Sequence, residues 1–273
     1  MSAADTWGRG DAYEAYVGRW SRRVAPRFLS WLDLPGEQRW LDVGAGTGAL
    51  CAAILDHCRP ASVIGVEPAE GFVAAARANL AGRAAVHQGS AAEIPLDDRS
   101  VDAAVSGLVL NFVPDAAAAL AEIARVTADG GAIAAYVWDY AGRMELMRIF
   151  WDAAVDLDPS ALRFAEGARF PLCRADALAE LFTGARLDGV EVTAIDVPTV
   201  FTGFEDYWRP FLSGQAPAPA YAMSLDEPAR ARLRDRIRER LPSAADGSIA
   251  LTARAWAVRG AVTPRTRRAE RRP

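Results

Sequence analysis

Residues 40–50 constrain this chain more than any other stretch. Trp40-Leu41-Asp42-Val43 reads as a short buried strand. Gly44-Ala45-Gly46-Thr47-Gly48 follows, and an apolar run over 49–55 reads as a helix. Glycine lets the backbone turn at positive φ and approach a ligand closely. The free N–H groups at a helix start meet polar or anionic groups. Strand, glycine turn and helix in that order therefore predict a binding loop at the carboxyl end of a strand.

The general motif nearest to this loop is the dinucleotide fingerprint G-x-G-x-x-G/A, which Gly44, Gly46 and Ala49 satisfy. Two details point elsewhere. The third glycine, Gly48, comes one residue early, and Asp42 puts a carboxylate where a pyrophosphate would be repelled and an ammonium attracted. The string Leu41-Asp42-Val43-Gly44-Ala45-Gly46-Thr47-Gly48 resembles motif I of the class I S-adenosylmethionine-dependent methyltransferases. The resemblance continues in order through Val66-Glu67-Pro68, residues 89–96, residues 102–106, and Arg125-Val126 with Gly130-Gly131, covering about residues 10–260.

The rest of the chain alternates helical and extended patterns. Residues 11–33 interleave aromatics and arginines and predict one or two amphipathic helices, closed by Pro35-Gly36. Strands are expected at 61–66, 84–88, 101–106, 132–138, 190–197 and 249–258, with Asp129-Gly130-Gly131 as a turn before the fifth strand. Helices are expected at 116–127 behind the N-cap Asp115, at 145–157, 175–182 and, exposed and arginine-rich, at 228–241. Residues 215–219 read as a loop. Such alternation implies an α/β fold with a mainly parallel sheet covered on both faces. The resemblance implies a Rossmann-like seven-stranded sheet, its seventh strand antiparallel, with a helical lid. The expected domains are a lid segment over 1–38, a catalytic domain over 39–260 with substrate-side inserts near 141–185 and 199–246, and a basic disordered tail over 261–273.

In open α/β sheets ligands bind beyond the carboxyl ends of the strands. Asp42, Glu67, Ser90, Asn111 and Asp139 all fall at such ends. Glu67 stands 23 residues after Gly44, a distance at which an acidic residue accepts from both ribose hydroxyls. The resemblance implies S-adenosylmethionine as the cofactor. It is held by Asp42, Gly44, Ala45, Gly46, Thr47, Glu67, Pro68, Ser90, Ala91, Glu93 and Asn111. Ser90 stands where the family commonly has an aspartate bonding the adenine amino group. Tyr16, Arg19 and Trp20 lie at i, i+3 and i+4 and face one way on a helix. The lid reading has Tyr16 bonding, Arg19 pairing with a cofactor carboxylate and Trp20 covering the site. The alternative is that Trp20 packs into the core and Arg19 is solvated.

Composition trims the partners. All 31 basic residues are arginine, so a lysine base or Schiff base is excluded. The stretch from Ala261 carries five arginines and one glutamate, or +4. The formal total is −4, which leaves −8 on the remainder, a poor surface for nucleic acid. No apolar run reaches membrane-spanning length, and the first residues lack the pattern of a secretory signal. Cys51, Cys58 and Cys173 suit a reduced, cytoplasmic protein and read as buried small hydrophobes. No metal-ligand spacing is present.

Methyl transfer from a sulfonium is an in-line displacement, so placing the acceptor supplies most of the acceleration. Asn111, Asp139 and Tyr140 are the polar groups expected nearest the reaction centre, as orienting residues first and bases second. The aromatics of the two inserts suggest a small apolar or aromatic acceptor, or else packing of the inserts themselves. Two alternatives stay open. One is another reaction of the same cofactor, cyclisation or halide alkylation. The other is a nicotinamide-dependent oxidoreductase, which Asp42 and the glycine spacing disfavour. Residues 111–114 stand where nucleic-acid amino-methylating enzymes carry an N-P-P-Y box, but they read Asn-Phe-Val-Pro.

Overall fold

A computed structural model of the chain describes residues 18–214 and 216–264. In chain order the described elements are α1 (Arg19–Leu32), β1 (Arg39–Val43), α2 (Ala49–His57), β2 (Ser62–Glu67), α3 (Glu70–Leu80), β3 (Ala85–Gln88) and β4 (Val101–Gly107). There follow α4 (Ala116–Val126), β5 (Thr127–Trp138), α5 (Glu145–Leu157), α6 (Glu166–Arg169), α7 (Ala175–Gly184), β6 (Asp188–Phe201), α8 (Phe204–Trp208), α9 (Pro217–Ser224), α10 (Glu227–Arg240) and β7 (Ile249–Ala261).

The strands form one sheet in the order β3-β2-β1-β4-β5-β7-β6. β1 pairs in parallel with β2 on one side and β4 on the other, and β2–β3 and β4–β5 are parallel too. The strand order reverses between β1 and β4, which opens a crevice at the carboxyl end of β1. β7 runs against β5: Gly130 N–H donates to the Val262 carbonyl, and at the opposite end of the strand Asp139 N–H donates to Arg254. A central strand covered on both faces needs apolar residues throughout, and β1 is buried from Trp40 to Val43.

The chain clusters into two compact units. One comprises residues 25–137, 174–195 and the described residues from Trp256. Its core includes Trp40, Leu41, Ile54, Leu80 and Leu120. The Asp115 carboxylate accepts from Ala118 N–H and caps α4, as its position before an alanine run predicts. The other unit comprises the described residues through Val24, 138–173 and 196–255. It is built on rings: Phe150 stacks on Phe211 with centroids 4.5 Å apart, Trp151 meets Phe150 edge-on, and the buried Tyr207 hydroxyl donates to Leu146 O.

Several local expectations change. Gly130-Gly131 is not a turn ahead of the fifth strand. β5 begins at Thr127 and carries the pair within it. Gly130 sits at φ +76°, and a Cβ on Gly131 would lie 2.7 Å from Thr127 Cγ2. The register against β4 shifts at Val101/Ala103, so the glycines mark an irregularity in the ladder. Residues 217–219 belong to helix α9, where Pro217 at a first helical position lacks only an N–H that would have gone unused. α10 is not wholly exposed, since Leu233 and Ile237 are buried. β6 and β7 run several residues longer than expected. β7 continues through Ala261, Val262 N–H donates to Gly131, and the Thr263 hydroxyl donates to Arg186 O, so the expected tail starts inside ordered backbone. Its residues 265–273 lie outside the described residues.

Candidate active site

The glycine turn is built as its residues require. Gly44, Gly46 and Gly48 have φ of +78°, +53° and +88°. The N–H groups of Gly44 and Ala45 both donate to Val66 O at the end of β2, at 2.8 and 3.1 Å. A Cβ on Gly44 would come 2.5 Å from Val109 Cγ1, so the loop after β4 packs directly on this glycine. A Cβ on Gly46 would meet nothing within 4 Å. Gly44 is thus small for packing, whereas Gly46 keeps an open face.

Glu67 at the end of β2 is 7% exposed. Oε2 accepts from Gly46 N–H and Oε1 from Ala69 N–H, each at 3.0 Å. A carboxylate has about four lone-pair sites, so each oxygen keeps acceptor capacity after these two bonds. The sheet and the glycine loop hold this acidic group in one orientation.

Asp42 does not stand at a rim facing solvent. It is 1% exposed, and its Oδ2 accepts from the Cys51 thiol at 3.2 Å. Burial pushes its carboxyl up to about 7. The thiol bond works against this rise, and the nearby Glu67 charge adds to it. Burial likewise raises the Cys51 thiol well above its usual range, with the neighbouring Asp42 as the next cause. Cys51 is therefore a buried hydrogen-bond partner rather than a nucleophile.

Thr47 is half-buried, and its carbonyl accepts from Asn79 Nδ2. Pro68 is exposed, and its carbonyl accepts from Gln88 Nε2. Ser90 and Glu93 are exposed, and Glu93 N–H bonds back to Ser90 O at 3.1 Å, closing a small turn with the half-buried Ala91. After β4 the chain makes an unusual bend: Leu108 has φ +62°, and its N–H donates to Tyr136 O. A branched-chain residue in the left-handed region is strained and persists only where its surroundings impose it. The bend delivers Asn111 on a 3₁₀ turn (Leu110–Phe112), with its Nδ2 buried and without a hydrogen-bond partner. A buried amide donor left unpaired is costly.

In the other unit, Asp139 uses its carboxylate on the turn that follows it. Oδ1 accepts from Gly142 N–H at 3.1 Å and Oδ2 from Arg143 N–H at 2.9 Å. A Cβ on Gly142 would come 2.4 Å from that carboxylate. Asp139 is thus a brace for residues 140–143, each of its oxygens already taking one backbone donor. Tyr140 is buried and tilts against Phe170 at 5.8 Å. In the N-terminal segment Tyr16 lies outside the described residues. Trp20 is 2% exposed and packs edge-on to Phe201 at 5.4 Å. The Arg19 side chain is 34% exposed, and its Nη1 pairs with Asp206 at 3.1 Å.

Sequence reading missed Ser106, whose buried hydroxyl donates to Val43 O and ties β4 to the end of β1. It missed Gly107, where a Cβ would lie 2.6 Å from the Tyr136 hydroxyl, and it missed Asp206. Ser106-Gly107 follows an apolar strand, but nothing in that pattern names Val43 as partner. Among the described residues no group of three or more histidine, cysteine or acidic side chains could hold a metal ion. No helix of the described residues is long and apolar enough to cross a membrane.

Residues 41–135 match the family model described as a methyltransferase domain. Over 130 residues the chain is 38% identical to an uncharacterized methyltransferase of Mycobacterium tuberculosis, covering 48% of this chain and 51% of that protein. It is 39% identical over 132 residues to the malonyl-[acyl-carrier protein] O-methyltransferase of Geobacter sulfurreducens, covering 46% and 49%. The chain thus spans about half the length of the curated relatives it matches. Its fold is similar to that of phosphoethanolamine N-methyltransferase 2 of Haemonchus contortus, solved with phosphomonomethylethanolamine and S-adenosylhomocysteine. That likeness has a TM-score of 0.56 at 16% identity and covers 93% of this chain and 57% of that one.

Proposed function

We infer that this chain, a member of the class I S-adenosylmethionine-dependent methyltransferase family through its domain at residues 41–135, transfers a methyl group from S-adenosylmethionine to a small acceptor. The observation that carries this reading is the pairing of an open glycine turn with a fixed acid. Gly46 leaves space on its Cα, while its own N–H holds the Glu67 carboxylate in place. That arrangement fits a ribose diol: two hydroxyls can donate to two oxygens that retain lone pairs. It fits a dinucleotide less well, since two buried carboxylates, Asp42 and Glu67, would lie close to a pyrophosphate.

S-adenosylmethionine brings a methyl group already activated by its sulfonium. The residues of this chain are left with binding, orientation and exclusion of water. In this reading Glu67 orients the ribose, with Gly44, Ala45, Gly46 and Thr47 giving the close backbone approach and Pro68 flanking it. Ser90, Ala91 and Glu93 form the turn that meets the adenine edge. Asn111 offers its unpaired Nδ2 to the reacting partners. Asp42 sets the loop from beneath. Asp139 fixes residues 140–143, and Tyr140 is assigned to the acceptor. A small apolar or aromatic acceptor fits the ring-rich composition of the inserts. A base is needed only if the acceptor must first lose a proton, and Asp139 already serves two backbone donors.

Titration calorimetry with S-adenosylmethionine and S-adenosylhomocysteine tests the reading. Both are expected to bind with micromolar affinity, about −8 kcal/mol. Glu67→Ala is expected to weaken both about tenfold or more while the protein stays folded, because charged hydrogen bonds are worth about 1.5–3 kcal/mol each. Binding of NADH in place of the sulfonium compound would reject the assignment. Incubation with S-adenosylmethionine alone, followed by product analysis, separates methyl transfer from cyclisation, since only the former needs an acceptor.

A further inference from the structure

Among the described residues of the unit that carries the glycine turn, three buried side-chain polar atoms have no hydrogen-bond partner. They are Trp40 Nε1, Ser100 Oγ and Asn111 Nδ2. Trp40 is the second residue of β1, and Ser100 precedes β4, so both stand toward the amino ends of their strands. Of the three, Asn111 alone follows the carboxyl end of a strand, where open α/β sheets bind ligands.

The loop that carries Asn111 is fixed from both sides. Leu108 N–H donates to Tyr136 O at 2.8 Å, and Phe112 N–H donates to Val109 O at 2.8 Å. Between them, Val109 lies against Gly44 of the glycine turn. From Ala103 to Pro114 no side chain carries a charge, and the one other polar side chain, Ser106, already donates to Val43 O. Asn111 itself is half-buried, but its Nδ2 is closed off from water, so solvent does not satisfy it.

The nearby acids and bases are committed elsewhere. Asp42 is buried and accepts from the Cys51 thiol, and the two Glu67 oxygens hold Gly46 and Ala69 N–H groups. The chain has no lysine. His57 closes α2 at the end away from the turn, and His87 lies on β3, which β2 and β1 separate from β4. An acceptor that arrives already ionised suits this setting, because it needs no base. A neutral donor beside it narrows the class further. An amine nitrogen has one lone pair, which it needs for attack. A carboxylate has two oxygens, and one can take a hydrogen bond while the other attacks.

We propose that Asn111 is an acceptor-binding residue and that the acceptor is a carboxylate, one oxygen of which accepts from Nδ2 while the other receives the methyl group. This rests on the methyl-transfer reading above. The O–CH3 bond forms as the S–CH3 bond breaks, the electron pair stays on sulfur, and no proton has to leave. The product is a methyl ester.

The experiment is a titration of the full-length chain, first with S-adenosylhomocysteine and then, at saturation, with benzoate, octanoate and benzylamine. The variants are Asn111→Ala, which removes the amide, and Asn111→Asp, which keeps its shape but replaces the donor with a like charge. Near-ultraviolet circular dichroism confirms each fold. At least one of the two carboxylates is expected to bind the unaltered chain, about tenfold more weakly in Asn111→Ala and about a hundredfold more weakly in Asn111→Asp. S-adenosylhomocysteine affinity is expected to stay constant in both variants. Incubation with S-adenosylmethionine and the bound carboxylate should yield its methyl ester by mass spectrometry. Four results overturn the proposal. In the first, neither carboxylate binds the unaltered chain. In the second, carboxylate affinity is the same in both folded variants. In the third, benzylamine binds Asn111→Asp more tightly than the unaltered chain, which would turn the amide oxygen toward an amine. In the fourth, both variants lose S-adenosylhomocysteine, which would assign the amide to the cofactor. Failure of the unaltered chain to bind S-adenosylhomocysteine rejects the methyl-transfer reading itself, and the first titration shows that before any acceptor probe is added.

Discussion

The glycine turn and the aromatic cluster solve opposite problems. Around Gly44 the structure is assembled from backbone: three positive-φ glycines, two N–H groups on Val66 O, and a carboxylate held by Gly46 and Ala69 N–H groups. The cluster of Phe150, Trp151, Tyr207 and Phe211 is assembled from side-chain volume, with rings in stacked and edge-on contact. Backbone geometry admits few residues at each position. Ring packing admits many combinations of similar volume. A site of the first kind leaves a recognisable string of residues, whereas a site of the second kind leaves only a composition.

That contrast can be broken or sharpened by substitution. Phe150 is fully buried, and Phe150→Ala is expected to cost about 3–5 kcal/mol in urea unfolding, the largest single effect. Phe150→Leu should recover much of it if packing there is fungible. In the glycine turn, Gly44→Ala is expected to cost about 2–4 kcal/mol through the Val109 clash and the positive φ together, with no rescue from a larger residue. Gly46→Ala should cost only about 1–2 kcal/mol, for φ alone, yet remove most S-adenosylhomocysteine binding in calorimetry. Normal binding by that variant would show that the ligand approaches elsewhere.

The remaining effect is electrostatic and is read as a slope against pH. The folded state keeps a proton on Asp42 up to about pH 7, whereas the unfolded chain releases it near 3.8. Between those values the folded state binds more protons, so stability from this group is full at the acid end and is lost as pH rises through about 7. The slope cannot exceed about 1.4 kcal/mol per pH unit. Asp42→Asn should flatten that limb in urea midpoints measured from about pH 4.5 to 8. An unchanged limb would assign the dependence to another group.

The glycine turn, the succession of strands and the N-cap Asp115 were legible because each depends on neighbours within a few residues. So were the position of Glu67 at the end of β2 and the helix at α5. Asp42 was legible as an acid in the motif but not as a buried one, because its environment comes from Cys51 on the next helix and from Glu67 at the end of β2. Asp139 was legible at a strand end, but its engagement by Gly142 and Arg143 N–H groups depends on how the following turn closes. The Arg19–Asp206 pair joins residues 187 positions apart, and no local pattern records it.

By itself the sequence determined the α/β alternation and the glycine turn after β1, since periodicity and glycine geometry act over short spans of chain. Only the tertiary structure decided which acids are buried, that Trp20 packs on Phe201, that Arg19 pairs with Asp206, and that Asn111 Nδ2 is buried without a hydrogen-bond partner. Those properties belong to contacts between distant segments. Burial and hydrogen-bond partnership are set by what the folded chain brings alongside a residue, not by the residues that precede and follow it.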